Sequence, residues 1–174
     1  MKNLLNHIAK NHIKPELNHI YIHKDAEAIY AVATDSFRLL EIKLNDTLLI
    51  DNLADGYYTA KEWQALCSLV SKKKQDIQAI TELCTALKAI QPNRIANFTY
   101  PDYKQIIPKA ENIQDITTLA DLKINADYFI DFIQAIPKDK FQSLYLNDIK
   151  LTSDKRMVVF INDNIKALLM LMNK

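Results

Sequence analysis

The stretch Ala33-Thr34-Asp35-Ser36-Phe37-Arg38-Leu39 lies between two segments with β-strand character. Residues 28–34 form the first segment and residues 37–44 form the second, because both are rich in β-branched and aliphatic side chains. A third such run, residues 18–23, precedes them and is separated from residue 28 by the turn-forming pair Lys24-Asp25. The stretch therefore predicts an antiparallel arrangement of three consecutive strands.

A short amphipathic helix is predicted before these strands. Residues 3–13 place apolar side chains at helical spacing, and Pro15 ends the pattern. The residues on the apolar side are Leu4, Leu5, Ile8 and His12. The first fifty residues thus indicate a helix followed by three strands.

The last third of the chain repeats this order. A short strand is predicted at residues 122–125 and a helix at 126–136, where Pro137 ends it. Three strand candidates follow: 143–146 continuing towards Leu151, then 157–161, then 166–172. We therefore predict an α+β fold in which helices cover one face of antiparallel sheets, with a helix-plus-three-strand unit at each end.

The middle of the chain is predicted to be more helical. After Gly56 come a short strand at 57–59 and a helix at 60–70 with Trp63, Leu66, Cys67 and Val70 on one stripe. Residues 76–90 predict a second helix, ended by Pro92. A section rich in loops follows, containing Pro101 and Pro108.

Composition excludes several classes of function. Gly56 is the only glycine, which excludes a phosphate-binding P-loop and a dinucleotide-binding fingerprint. Turns are instead predicted at residues rich in Asn and Asp: 44–46, 147–148 and 162–164. With 22 basic and 21 acidic residues, the chain is not a purely electrostatic binder of nucleic acid, so any DNA contact must come from local charge placement.

Cys67 and Cys84 are predicted to be buried free thiols, with a disulfide as the lesser alternative. The first residues lack the apolar core of a signal peptide, and no apolar run reaches about 18 residues. These patterns predict a cytoplasmic protein with no membrane association.

Four segments, in order, resemble the middle and last domains of the bacterial sliding clamp, the DNA polymerase III beta subunit that acts as processivity factor. Residues 33–39 are similar to that family's A-T-D-G-H-R-L, and residues 16–19 to its L-N-G stretch. Residues 100–109 are similar to F-P-D-Y-x-x-x-x-P-K, and residues 168–174 to V-V-M-P-M-R-L. The chain departs from the family at Ser36-Phe37, which replace Gly-His, and at Leu171, which replaces Pro. The family's first domain and half of its last have no counterpart.

The resemblance implies a DNA-clamp-like fold that binds replication or repair proteins through an apolar peptide groove. Transferred position by position, the groove would contain Leu17, Thr34, Phe37, Arg38, Leu39, Pro108, Leu168, Met170 and Met172. Methionine and leucine side chains suit an adaptable trough for a peptide. The alternative is that Leu17, Leu39 and Leu168 are ordinary core residues and that Arg38 forms an ion pair with Asp35.

The resemblance implies that encircling DNA would require self-association, since a clamp ring is built from several such domains. Identical subunits would then pair their edge strands head to tail. Candidate phosphate contacts, without sequence preference, are Lys2, Lys10, Lys14 and the run Lys72, Lys73 and Lys74. The lysine run alternatively complements the dipole at a helix C-terminus. A further alternative is an interaction module that regulates or inhibits replication without encircling DNA.

Catalysis and cofactors are not predicted. His19 and His23 share a strand face, which makes a metal site conceivable, but no Cys or carboxylate cluster joins them at ligand spacing. No nucleophile elbow, zinc-hydrolase helix or phosphate loop is present. An uncharacterised hydrolase using the histidine-rich N-terminus is the remaining enzyme alternative.

Two organisations are open at this point. In the first, residues 1–108 form a clamp-like domain with a contracted helical second half, and residues 109–174 form a clamp-like half domain. In the second, the two end units combine into one domain with residues 51–118 as an insert.

Overall fold

Eight antiparallel strands form one sheet in the part of the chain that the computed structural model describes. That part comprises residues 2–25, 28–45, 52–71, 81–82, 84–86, 88, 99–116, 122–136, 149–154 and 156–172. The spatial order is β4-β1-β2-β3-β8-β7-β6-β5, so β4 and β5 are the two edges. The strands are β1 Ile20–Lys24, β2 Ile29–Thr34, β3 Arg38–Leu44, β4 Gly56–Tyr58, β5 Ile113–Asp115, β6 Lys150–Thr152, β7 Met157–Ile161 and β8 Ile165–Met170.

The β2–β3 hairpin follows from the sequence between the two strands. Six residue pairs join them, from Ile29 opposite Leu44 to Thr34 opposite Leu39. In the turn, the Asp35 carboxylate accepts hydrogen bonds from the backbone N–H groups of Phe37 and Arg38. Such side-chain-to-backbone bonds stabilise a tight reversal of the chain.

Strand β8 lies between β3, from the first part of the sequence, and β7, from the last part. It pairs with β3 on one side, from Arg38 opposite Leu169 to Ile42 opposite Ile165, and with β7 on the other. Asn162 closes the β7–β8 turn, because its side chain accepts from the N–H groups of Asn164 and Ile165. A domain boundary at residue 108 would separate β1–β4 from β5–β8 and stays a prediction.

Helices cover one face of the sheet, which we call the inner face. They are α1 (Ala60–Ser71), α2 (Ala126–Ala135) and the 3₁₀ helix Lys2–Asn6. Thr59 and Glu62 cap α1 reciprocally, and the Asn125 side chain accepts from Tyr128 N–H to cap α2. Each helix contributes fully buried large side chains to the core: Trp63 and Leu66 from α1, Phe132 from α2 and Leu4 from the 3₁₀ helix. The prediction of helices on one face of an antiparallel sheet is confirmed.

A different cluster lies on the opposite face, which we call the outer face. Its strand residues are Val32, Leu39, Val159 and Leu168, each almost fully buried. Tyr100 and Tyr103 complete the cluster from residues 99–109, which we call the cover segment. This segment contains the 3₁₀ helix Tyr103–Ile106, and a second 3₁₀ helix, Ala110–Asn112, follows it.

Two predicted elements are wrong. The helix predicted at 3–13 is only the 3₁₀ helix Lys2–Asn6, and the left-handed backbone of Asn11, with φ of 57°, prevents a helix from continuing through residue 11. No strand forms at 122–125. Those residues are the approach to α2, and a single backbone bond joins them to the chain after β8, from Met172 N–H to Lys123 C=O. Most of the predicted helix 76–90 and all of 143–148 lie outside the described residues.

Candidate functional site

Four of the nine predicted groove residues are buried. Leu17, Leu39 and Leu168 are each at most 2% exposed, and Thr34 is 6% exposed. The Thr34 hydroxyl donates to the Arg38 carbonyl within the hairpin, at 2.7 Å. Leu39 and Leu168 lie opposite each other on β3 and β8, on the outer face. We call Leu39 and Leu168 the floor, because they lie beneath the surface in one cluster of the outer face.

Three other predicted residues are exposed and lie near one another. Phe37, Met170 and Met172 have exposed fractions of 57%, 43% and 52%. The Met170 N–H donates to the Phe37 carbonyl at 2.8 Å, which fixes the end of β8 beside the hairpin turn. We call these three residues the apolar rim. An exposed apolar group of this kind is typical of an interaction site.

Arg38 points away from the floor, towards α2. Its Nε donates to the Asp35 carboxylate at 2.9 Å, and its Nη1 contacts the Asp131 carboxylate. Its guanidinium also lies over the Tyr128 ring, 4.2 Å from the centroid. The ion pair with Asp35, which the sequence left as an alternative, is therefore present, and Arg38 links the hairpin to α2.

Pro108 lines a cavity of about 360 Å³ at the end of the cover segment. Glu41 also lines this cavity; it is 3% exposed and accepts a hydrogen bond from Lys166 Nζ at 2.5 Å. A second cavity, of about 460 Å³, lies along the segment at Tyr100 and Pro101. His23 and Lys104 line both cavities, so open space flanks the cover segment on two sides.

Tyr103 ties the cover segment to the sheet. Its hydroxyl donates to the Glu41 carboxylate, and its oxygen lies 2.6 Å from His23 Nε2. Burial and the Glu41 carboxylate both raise the pKa of Tyr103, so the phenol keeps its proton. Burial, followed by the nearby Lys104, lowers the pKa of His23, which favours a neutral imidazole. We assign the His23 proton to Nε2, because the Tyr103 hydroxyl donates to Glu41 and its oxygen can then accept a hydrogen bond from His23.

Tyr100 holds the other end of the segment. Its ring stacks on Tyr21 with centroids 4.7 Å apart, and its backbone N–H bonds the Tyr57 hydroxyl. Sequence reasoning used the motif at 100–109 but did not assign functions to Tyr100, Tyr103, His23 or Glu41. The available signal was the alternation of side chains along the strands, which places Tyr21 and His23 of β1, Tyr30 of β2 and Tyr57 of β4 on the outer face.

The predicted DNA contacts are only partly described. Lys10 and Lys14 are exposed beyond the first 3₁₀ helix. The side chain of Lys2 and residues 72–74 lie outside the described residues. Cys67 is buried, Cys84 is half-buried, and both are free thiols.

Within the described chain, no three His, Cys, Asp or Glu side chains come together as metal ligands do. None of the described helices is long and apolar enough to cross a membrane. His19 Nδ1 instead donates a hydrogen bond to the Pro15 carbonyl, and His23 Nε2 bonds the Tyr103 hydroxyl.

Comparison with solved structures places this arrangement of sheet and helices. The sliding clamp of Pseudomonas aeruginosa, DNA polymerase III subunit beta, superimposes with a TM-score of 0.57 at 13% sequence identity. That match covers 99% of this chain. The chain has the fold of the bacterial sliding clamp. The same clamp bound to griselimycin matches with a TM-score of 0.56 at 14% identity, and so does a griselimycin-bound clamp from Bartonella birtlesii.

The chain spans about 63% of the length of the Pseudomonas clamp that it matches. No family model matches the sequence, and no curated protein matches it either. The clamp fold is therefore shown by the structural comparison and not by a match to the whole sequence. At this sequence identity, structural similarity shows the fold and nothing about function.

Proposed function

We propose that this chain is a non-catalytic, sliding-clamp-like protein that binds replication or repair proteins through a linear peptide. The docking surface is the apolar rim together with the floor that continues from it. The observation that carries the proposal is the exposure of Phe37, Met170 and Met172 at one end of β3 and β8. Folding buries neighbouring apolar residues but leaves these three in water.

The chemistry of the surface fits an apolar peptide. Met170 and Met172 have flexible, polarisable side chains that adapt to different partners, and Phe37 offers a flat ring against Tyr128, 6.0 Å away between centroids. The rim residue Met170 lies two positions from Leu168, so both face the outer side of β8. A bound peptide would bury aliphatic and aromatic anchors there, and griselimycin-bound clamps of the same fold support a ligand of peptide type.

The test is a binding titration with a fluorescently labelled, Gln-rich and Leu/Phe-rich clamp-docking peptide. Met170→Asp and Phe37→Asp place a carboxylate in the rim, and we expect each to weaken binding at least roughly tenfold, about 1.4 kcal/mol. Ile13→Asp is the matched control, because Ile13 is 96% exposed and lies outside the rim. Griselimycin should compete with the peptide. Equal affinity of the rim variants and the control would refute the proposal.

A second candidate function is DNA encirclement by a homo-oligomer. It is favoured by the two edge strands, Gly56–Tyr58 and Ile113–Asp115, at opposite ends of the sheet. Pairing β4 of one copy with β5 of the next would be a head-to-tail contact, and a suitable rotation would close it into a ring. Lys10 and Lys14 would then contribute sequence-independent phosphate contacts.

Light scattering across a concentration series separates the two candidates. A closed oligomer, several times the 20.1 kDa chain, together with salt-sensitive binding of duplex DNA, would support encirclement. A monomer at every concentration would exclude a ring. The peptide-binding proposal would then describe a non-encircling module that recruits replication proteins or competes for them.

A further inference from the structure

The floor of the proposed docking surface is occupied by the chain's own tyrosines. Tyr100 and Tyr103 are 6% and 5% exposed, and they pack in one cluster with Leu39 and Leu168. A peptide that places its side chains on Leu39 and Leu168 must therefore remove these rings first. The apolar rim, in contrast, is open.

Few bonds hold the cover segment down. In the described chain, the backbone-to-backbone hydrogen bonds of residues 99–109 stay within the segment or reach Asn112, as in Tyr103 N–H to Pro101 C=O. Attachment to the sheet comes from side chains: the stacking of Tyr100 on Tyr21, the Tyr57 hydroxyl, and the bonds of Tyr103 to His23 and Glu41. A segment attached by a few side chains can open without breaking the strand ladder.

The surroundings of the segment also favour opening. Two cavities, about 360 and 460 Å³, lie beside it, so open space flanks the segment instead of packed side chains on these two sides. The sheet beneath stays intact, because Glu41 keeps its bond to Lys166 when Tyr103 departs. The bond to Tyr103 is thus the part of this polar network that is lost on opening.

We infer that residues 99–109 act as an internal competitor for the proposed docking surface, with Tyr103 as the latch. This inference rests on the proposed function. In the closed state Tyr100 and Tyr103 occupy the floor in place of a partner. A partner peptide first contacts Phe37, Met170 and Met172, and its apolar side chains then replace the two tyrosines. The bonds of Tyr103 to His23 and Glu41 determine the free energy needed to open the segment, and this cost lowers the apparent affinity for the peptide.

The experiment compares the labelled clamp-docking peptide on the wild type and on Tyr103→Phe. This variant keeps the ring but removes the hydroxyl, so the cover opens more readily and we expect affinity to rise roughly threefold to tenfold. Tyr58→Phe is the matched control. It removes a buried hydroxyl that bonds the Ala54 carbonyl, at 2.8 Å, outside the cover segment. Its affinity for the peptide should equal that of the wild type.

Amide hydrogen exchange supplies the second readout. Tyr103→Phe should speed exchange of residues 99–109 without peptide, and saturating peptide should speed it in the wild type. If the peptide binds the wild type and Tyr103→Phe equally and leaves exchange of the segment unchanged, the internal competition is refuted while the docking proposal stands. If no variant binds the peptide at all, both are refuted.

Discussion

The two faces of the sheet are closed by different means. On the inner face, α1, α2 and the first 3₁₀ helix bury Trp63, Phe132 and Leu4 completely. On the outer face, two tyrosines from one irregular segment cover the strands, and the apolar rim stays in water. Close packing of the helices on the inner face stabilises the fold. The cover segment is held by a few side chains, so it can open and expose the outer face of the sheet.

This difference separates stability from binding. We expect substitutions on the inner face to lower the free energy of unfolding and to affect peptide binding only through unfolding. We expect substitutions in the rim or the cover segment to change binding at a small cost in stability.

The largest effect is expected for Phe132→Ala on α2. Removing a fully buried phenyl ring leaves a cavity, and we expect a loss of about 3–5 kcal/mol in the free energy of unfolding. Met170→Ala in the rim should change it by less than about 0.5 kcal/mol, because the side chain is about half-exposed and leaves no enclosed cavity. Chemical denaturation followed by Trp63 fluorescence measures both. Comparable losses would contradict the division between the faces.

Acid should destabilise the inner face through His7. The ring is fully buried, its Nδ1 bonds the Asn3 carbonyl, and its surroundings include Arg38, Asp35 and Asp131. Burial lowers the pKa of His7 from 6.5 to about 4. The unfolded chain therefore binds this proton at a higher pH than the folded chain. Stability from neutral His7 is full above pH 6.5 and falls by about 3 kcal/mol by pH 4.

His7→Phe isolates that contribution from the carboxylates that also titrate. Between pH 7 and pH 4 the free energy of unfolding should fall in both proteins. The fall should be about 3 kcal/mol smaller in His7→Phe than in the wild type. Parallel pH profiles of the two proteins would show that His7 is protonated equally in both states.

The outer face contains one ion pair whose loss should be costly. Lys166→Met leaves the Glu41 carboxylate buried without its cation, and we expect a loss of about 2 kcal/mol. Lys150→Met removes an ion pair with Asp115 at the sheet edge, where the carboxylate is exposed rather than buried, and should cost less than about 0.5 kcal/mol. Urea denaturation ranks the two variants. An equal cost would mean that Glu41 is solvated in the folded protein.

The smallest expected effect is a gain at the hairpin turn. Ser36 has a φ of 77°, a left-handed conformation that glycine adopts without steric cost. Ser36→Gly should raise the free energy of unfolding by about 0.5–1 kcal/mol. Asn11→Gly is the matched control at a φ of 57°, and it should gain less because asparagine tolerates this region. Thermal denaturation measures both, and a destabilised Ser36→Gly would contradict the turn geometry.

Much of the fold was predictable because local patterns determine it. The hairpin predicted from residues 28–34 and 37–44 is β2 and β3, since alternating side chains and the Asp35 turn act over a few residues. The helices at 60–70 and 126–136 agree with α1 and α2 within one residue at each end. The helix predicted at 3–13 is helical only at Lys2–Asn6, and apolar spacing gives no sign of the left-handed backbone at Asn11.

The candidate site was less predictable because it depends on distant contacts. Strand pairing brings Leu39 opposite Leu168, but what covers them is decided by Tyr100 and Tyr103, more than sixty residues after Leu39. The direction of Arg38 is likewise set by Asp131, 93 residues away on α2. The resemblance to the clamp family predicted that Leu39 and Arg38 both line a groove. In the structure Leu39 is buried and Arg38 forms ion pairs with Asp35 and Asp131.

The central claim is that the outer end of β3 and β8 binds a peptide. NMR mapping of backbone amide shifts on the isotope-labelled chain, titrated with the clamp-docking peptide, tests it most directly. The account predicts the largest shift changes at Phe37, Met170, Met172 and in the cover segment, with α1 unaffected. Saturable changes confined to the helices or to the edge strands, or no change at millimolar peptide, would contradict it.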